Sequence, residues 1–155
     1  MKIILPNRLT LFTALLLSLL LTSPIHAAPQ IMSAPEAQAA IKAGKLFLLD
    51  IRAAEEWKED GVAEGAFPVS MHENSFGKHL NRILAQRGDK KLGLICATGG
   101  RTQYVAAILE KNGITDIVDV SESMHGNHNG PGWLKRKLPV VTMDEALKHF
   151  AETIK

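Results

Sequence analysis

Three short strand-like runs, separated from one another by segments of helical periodicity, constrain the fold of this chain more than any other feature. They are LFLLDI from Leu46 to Ile51, LGLIC from Leu92 to Cys96, and DIVDV from Asp116 to Val120. The first is continuously apolar until its acidic end, which suits a strand covered on both faces. Strands separated by helices imply right-handed crossovers and a mostly parallel sheet with helices on both sides. The class read from the pattern is α/β.

The intervening segments carry their own start and stop signals. Ser33 and Glu36 have the spacing of a capping box, Ala37, Ala40 and Ile41 follow at helical intervals, and Gly44 closes the segment. A short helical turn around Glu55 to Lys58 turns Trp57 inward. AFPVS, from Ala66 to Ser70, is a short strand whose Pro68 places it at an edge or an irregular end. Phe76, Leu80, Ile83 and Leu84 form one face of a helix ending near Gly88. Val105, Ile108 and Leu109 form the inward stripe of the next helix, which starts near Thr102 and ends at Asn112-Gly113. A glycine-rich loop and LPVV then lead to a last helix, opened by Thr142 and Glu145, with Met143, Leu147, Phe150 and Ile154 on its apolar face.

The first 27 residues have a different character. Lys2 and Arg8 precede a 13-residue apolar stretch from Leu9 to Leu21, and small residues follow at Ala27 and Ala28. This is the layout of a secretory signal peptide, with cleavage expected after Ala27 or Ala28. A bilayer-spanning helix needs roughly 20 residues, which favours a cleaved signal over an anchor. The expectation is a periplasmic protein with no membrane attachment after processing. Because Lys2 and Arg8 leave with the signal, sixteen basic and sixteen acidic residues remain. A formally neutral chain offers nothing that favours nucleic acid or an acidic membrane. About 127 residues suffice for one domain with a single core.

The chain has one cysteine, Cys96, so it can form no internal disulfide. In an oxidising compartment a lone thiol is either reactive or a small buried hydrophobe. Cys96 stands at the carboxyl end of a central strand, where open α/β sheets bind ligands. After it come Ala97, Thr98, Gly99, Gly100 and Arg101, small or flexible residues whose backbone N–H groups can turn inward, and then the helix near Thr102. The helix contributes free N–H groups and the positive end of its dipole, surroundings that favour a thiolate. Arg101 adds a positive charge for an anionic substrate. The same residues also suit a plain strand-to-helix turn in which the glycines merely allow close packing.

LLDIRAAEEW, the Gly65-Ala66 pair, and CATGGRTQYVAAILEKNGITDIVDV resemble the single-domain rhodanese-like sulfurtransferases. The most specific likeness is the loop, in which Cys96, Gly99, Arg101 and Thr102 match a Cys-x-x-Gly-x-Arg-Ser/Thr pattern. Asp50 and Arg52 match the family's Asp-x-Arg, and Gly132-Trp133 with Leu138-Pro139 match its C-terminal signature. The resemblance implies a rhodanese-like domain over 33–142, followed by a C-terminal helix over 143–155. It implies a central, mostly parallel sheet of about five strands flanked by helices on both faces.

The resemblance also implies chemistry. Cys96 would attack a small anionic sulfur donor such as thiosulfate, hold the sulfur as a persulfide, and pass it to a thiol or cyanide acceptor. Ala97, Thr98, Gly99, Gly100, Arg101 and Thr102 would bind the substrate, with Arg101 attracting the donor and no metal or organic cofactor required. Asp50 and Arg52 would fix the loop's surroundings. A sulfur-carrier or anion-binding module acting with a partner protein needs the same thiol and is the rival reading. A phosphatase is a lesser one, because related phosphatases place the arginine six residues after the cysteine and this chain has Thr102 there. The chain departs from the family at GVAEGA, where Val62 and Glu64 replace a histidine and a proline. It departs again in the long loop from Met124 to Trp133, which is placed to lie over the site. His125 and His128 in that loop are weak evidence for a metal, having no third ligand set by spacing.

Overall fold

The computed structural model describes residues 28–155, and the signal-peptide expectation lies outside them. The elements run β1 (Gln30–Met32), α1 (Ala34–Lys42), β2 (Leu46–Asp50), α2 (Ala54–Asp60), β3 (Val62–Ala63), β4 (Phe67–Pro68), α3 (Phe76–Gln86), β5 (Lys91–Ile95), α4 (Gly100–Lys111), β6 (Ile117–Val120), α5 (Gly132–Lys135), β7 (Val140–Val141) and α6 (Met143–Thr153). Five of the strands form a sheet in the order β1-β6-β5-β2-β4, in which every pairing is parallel.

The three strand-like runs occupy the middle of that sheet as β2, β5 and β6. Their successive side chains point to opposite faces, and both faces are covered. Leu49, Leu92, Leu94 and Ile117 pack with Leu80, Ile83, Val105 and Leu109 of α3 and α4. Leu46, Leu48, Ile95 and Val118 pack on the other face with Ala37, Trp57 and Trp133. A strand enclosed on both sides does not alternate apolar with polar, which is why Leu46 to Leu49 and Leu92 to Ile95 run without a polar side chain. Among the described residues no helix is long and apolar enough to cross a membrane.

Several boundaries differ from the sequence reading. The strand beginning at Gln30 carries no apolar run; it pairs with β6 at the sheet edge, and its Ile31 is exposed. β4 is shorter than AFPVS but lies at the opposite edge, where a proline costs no ladder bond. Val140 and Val141 of LPVV stay outside the main sheet and pair antiparallel with Val62 and Ala63.

Two expected inward residues face outward. Ile108 is exposed because α4 buries the stripe of Thr102, Val105, Ala106 and Leu109, and Ile108 falls beside it. Leu147 is exposed because the buried face of α6 centres on Ala146 and Phe150. Both capping boxes form as expected, at Ser33 with Glu36 and at Thr142 with Glu145.

Candidate functional site around Cys96

Cys96 follows the last residue of β5, on the same face as Leu92 and Leu94, and is 1% exposed. Its sulfur accepts the backbone N–H of Gly99 at 3.1 Å. Ser123 Oγ lies 3.9 Å from it on the far side. Gly99 makes the loop possible. Its φ of +107° lies where a side chain is strained, and an added Cβ would stand 3.1 Å from the Asn127 amide nitrogen. The helix begins at Gly100, two residues before the expected start, with Gly99 at its cap. Thr102 ties down the turn, its hydroxyl donating to Gly99 O at 2.7 Å.

The loop residues divide into two groups. Gly99 and Thr102 are buried, Thr98 and Gly100 are exposed, and Ala97 and Arg101 are intermediate. Gly99 supplies the loop's amide bond to the sulfur among the described residues. Ala97 and Thr98 instead present their carbonyls to the long loop that follows β6. Met124 N–H donates to Cys96 O at 2.9 Å, His125 N–H to Ala97 O at 2.9 Å, and Asn127 Nδ2 to Thr98 O at 2.8 Å. The long loop is therefore hydrogen-bonded along the thiol loop and forms a wall of the site.

That wall is braced from beneath. Glu122, 2% exposed, accepts from Arg136 at 2.6 and 2.9 Å and from Gly132 N–H at 3.1 Å. The Arg136 hydrogen bonds hold its carboxyl below the usual carboxylate range, against the opposing effect of burial. Gly132 and Gly126 approach each other so closely that a Cβ on either would collide with backbone. Trp133 is fully buried and donates its indole N–H to Pro139 O at 2.9 Å. It anchors the end of the loop.

Asp50 and Arg52 are both fully buried and paired. Arg52 donates to Asp50 at 2.7 to 3.1 Å, to Asp60 at 3.2 Å and to Gly61 O at 2.7 Å. These bonds tie the end of β2 to the C-terminal end of α2. Removing one partner from such a pair leaves an uncompensated charge, which costs about 3–5 kcal/mol. His125 Nε2 lies 3.0 Å from Asp60, linking the long loop to the same network. Among the described residues there is no group of three or more candidate metal ligands.

Arg101 differs most from the sequence reading. Rather than presenting a free charge, it makes a bidentate pair with Glu56, Nη1 to Oε2 and Nη2 to Oε1, each at 2.6 Å. Glu56 also accepts the Ala53 N–H at 2.9 Å, at the start of α2. The Arg101 hydrogen bonds, with smaller contributions from Ala53 and Arg52, bring the Glu56 carboxyl down to about 2. Arg101 is raised in turn, first by Glu56, and the neighbouring Cys96 acts in the same direction. Sequence reasoning missed Glu56. The available signal was an acidic residue three positions after the cap of α2, and the absence of a capping side chain at Ala53 concealed it.

Asp119, at the end of β6, is also buried and lies beside Thr102. Its Oδ1 has no hydrogen-bond partner, and burial raises its carboxyl, opposed by the Thr102 hydroxyl.

Comparison with known proteins places this architecture. An uncharacterized protein of Rickettsia prowazekii is 26% identical over 99 residues, covering 60% of this chain and 80% of the relative. A crystal structure from M. tuberculosis superposes with a TM-score of 0.52 at 20% identity, covering 73% of this chain and 97% of that one. A rhodanese-related protein from Thermoplasma volcanium gives 0.51 at 24% identity, with coverages of 72% and 97%. These structures share the fold of this chain. The rhodanese-like domain model matches residues 33–128, from the first capping box through the thiol loop and into the long loop, and on that match the chain belongs to the rhodanese-like domain family.

Proposed function

We propose that this protein is a sulfurtransferase carrying sulfane sulfur on Cys96. The observation that carries the reading is the sulfur's position at the carboxyl end of β5, receiving the Gly99 N–H at 3.1 Å where the loop enters α4. A backbone donor and a helix N-terminus favour negative charge on sulfur. With thiosulfate, the Cys96 thiolate attacks the outer sulfur, a Cys–S–S⁻ bond forms, and the original S–S bond breaks with its electron pair leaving on sulfite. Cyanide or an acceptor thiolate then attacks the outer sulfur and returns Cys96 as thiolate. One difficult transfer is thereby divided into two easier ones. In this reading the loop from Ala97 to Arg101 would hold the outer sulfur. The exported state expected from Met1 to Ala28 would place this chemistry in the periplasm, with small sulfur compounds or a partner protein as donor and acceptor.

Intact mass after incubation with thiosulfate tests the reading. The wild type should gain one sulfur from thiosulfate or, as a second sulfane donor, from an organic hydropersulfide, and Cys96→Ser none; a wild type left unmodified by both would overturn it. Discharge by cyanide or a dithiol can then be timed. Stable loading with slow discharge would assign the chain a carrier role instead of an enzymatic one.

A further inference from the structure

The arginines of the networks around the thiol loop are already engaged. Arg52 is held by Asp50 and Asp60, and Arg136 by Glu122. Arg101, the guanidinium beside Cys96, has its planar fork closed on Glu56 by two 2.6 Å bonds. A guanidinium recognises an oxyanion through that same fork. An oxyanion approaching Cys96 must either displace the Glu56 carboxylate or approach a neutral pair. The Glu56 carboxylate is itself pinned by the Ala53 N–H at 2.9 Å, so displacing it breaks three hydrogen bonds.

We propose that Glu56 is a specificity-determining residue which closes Arg101 to anionic reagents, so that the donor served by Cys96 is an organic hydropersulfide reacting as neutral R–S–SH rather than dianionic thiosulfate. This rests on the sulfurtransferase reading for the identity of the donor; the charge selection itself does not depend on it. In the transfer, the Cys96 thiolate attacks the terminal sulfur of R–S–SH, the new S–S bond yields Cys–S–SH, and R–S⁻ leaves with the electron pair of the broken bond. Atoms and charge balance without an added oxidant. No negative head group has to be accommodated beside Glu56.

Charge selection can be read without sulfur transfer by alkylating Cys96 in the full chain with iodoacetate, an anion, and iodoacetamide, its neutral counterpart. The ratio of the two rate constants is the measurement. Glu56→Gln keeps an oxygen to accept the Ala53 N–H while releasing the Arg101 charge, and should raise the iodoacetate-to-iodoacetamide ratio about tenfold at low salt. The double variant Glu56→Gln/Arg101→Gln should bring the ratio back to the wild-type range. A loop that had merely loosened would speed both reagents and leave the ratio where it was.

Sulfur loading supplies the second arm. Thiosulfate should load Glu56→Gln about tenfold faster than the wild type, while the wild type should load faster from 2-mercaptoethanol hydropersulfide than from thiosulfate. An unchanged or lowered alkylation ratio in Glu56→Gln overturns the charge selection, whatever the sulfur donors do. A raised ratio with no loading from either donor overturns the sulfurtransferase reading and the donor assignment, and leaves the charge selection standing. A folded wild type whose Cys96 reacts with neither alkylating reagent overturns both.

Discussion

Asn127 donates one side-chain nitrogen to the carbonyl oxygen of Thr98 at 2.8 Å, and the same nitrogen reaches Ser121 O at 2.7 Å. A single amide thus joins the thiol loop to the end of β6. The contact lies on the open side of the site, where Thr98 is exposed and no packing would otherwise hold it.

Asn127→Ala should therefore affect reactivity more than stability. Two hydrogen bonds at partly exposed positions are worth about 1–2 kcal/mol together. A loop free to shift would misplace its amides, and loading of Cys96 should slow by about tenfold. Urea denaturation and timed intact-mass loading measure the two effects separately. A variant that loads at the wild-type rate would show that the Thr98 contact does not set the loop's geometry.

The adjacent glycines should respond differently to alanine. At Gly99, φ is +107° and the new methyl would press on the Asn127 amide, whereas Gly100 is helical and has open space where a Cβ would go. Gly99→Ala should cost about 1–2 kcal/mol and impair loading. Gly100→Ala should be neutral or stabilising by up to about 1 kcal/mol. Paired denaturation curves suffice to test the contrast.

The Glu56–Arg101 pair should give stability a defined acid dependence. The folded-state carboxyl titrates at about 2, below the ordinary value of 4.5. Its contribution is then complete above the ordinary value and is lost as pH falls from there toward 2. For a pair that is about a quarter exposed, we expect about 1 kcal/mol. The stability gap between wild type and Glu56→Gln should be present at pH 7 and narrow markedly by pH 3.

Asp119 should behave in the opposite sense. Burial raises its carboxyl, so ionisation destabilises the fold once pH exceeds the ordinary carboxylate range. Asp119→Asn, which removes the charge and keeps the shape, should raise stability at pH 7 by about 1 kcal/mol. The gain should disappear in acid, where the wild-type carboxyl is protonated. A loss of stability at pH 7 would instead mean that the carboxylate is required beside Thr102.

The central strands and the thiol loop were legible because each is encoded locally. LFLLDI, LGLIC and DIVDV are rich in apolar residues without strict alternation because their strands are enclosed on both faces, and Gly99 is conspicuous because the turn admits little else. Short edge pairings were not legible. Gln30 to Met32 becomes a strand only because β6 offers a free edge, and Val140 finds its partner in Ala63, far away in the chain. Arg101 was legible as a cation, but its partner was not. Forty-five residues separate Glu56 from Arg101, and only the folded sheet brings α2 against the start of α4. The misjudged faces of Ile108 and Leu147 share one cause: periodicity gives the direction of an apolar stripe, while the width that is covered depends on neighbours from elsewhere in the chain.

The near-complete burial of the Cys96 sulfur bears on how a partner would distinguish charged from spent protein. A disulfide-type bond is about 2.05 Å long, so in the proposed persulfide the outer sulfur would stand a full bond length beyond Sγ. The resting molecule keeps its thiol withdrawn, whereas the loaded one presents its cargo. Contact with an acceptor would then depend on occupancy, and the protein would advertise a sulfur only while it had one to deliver.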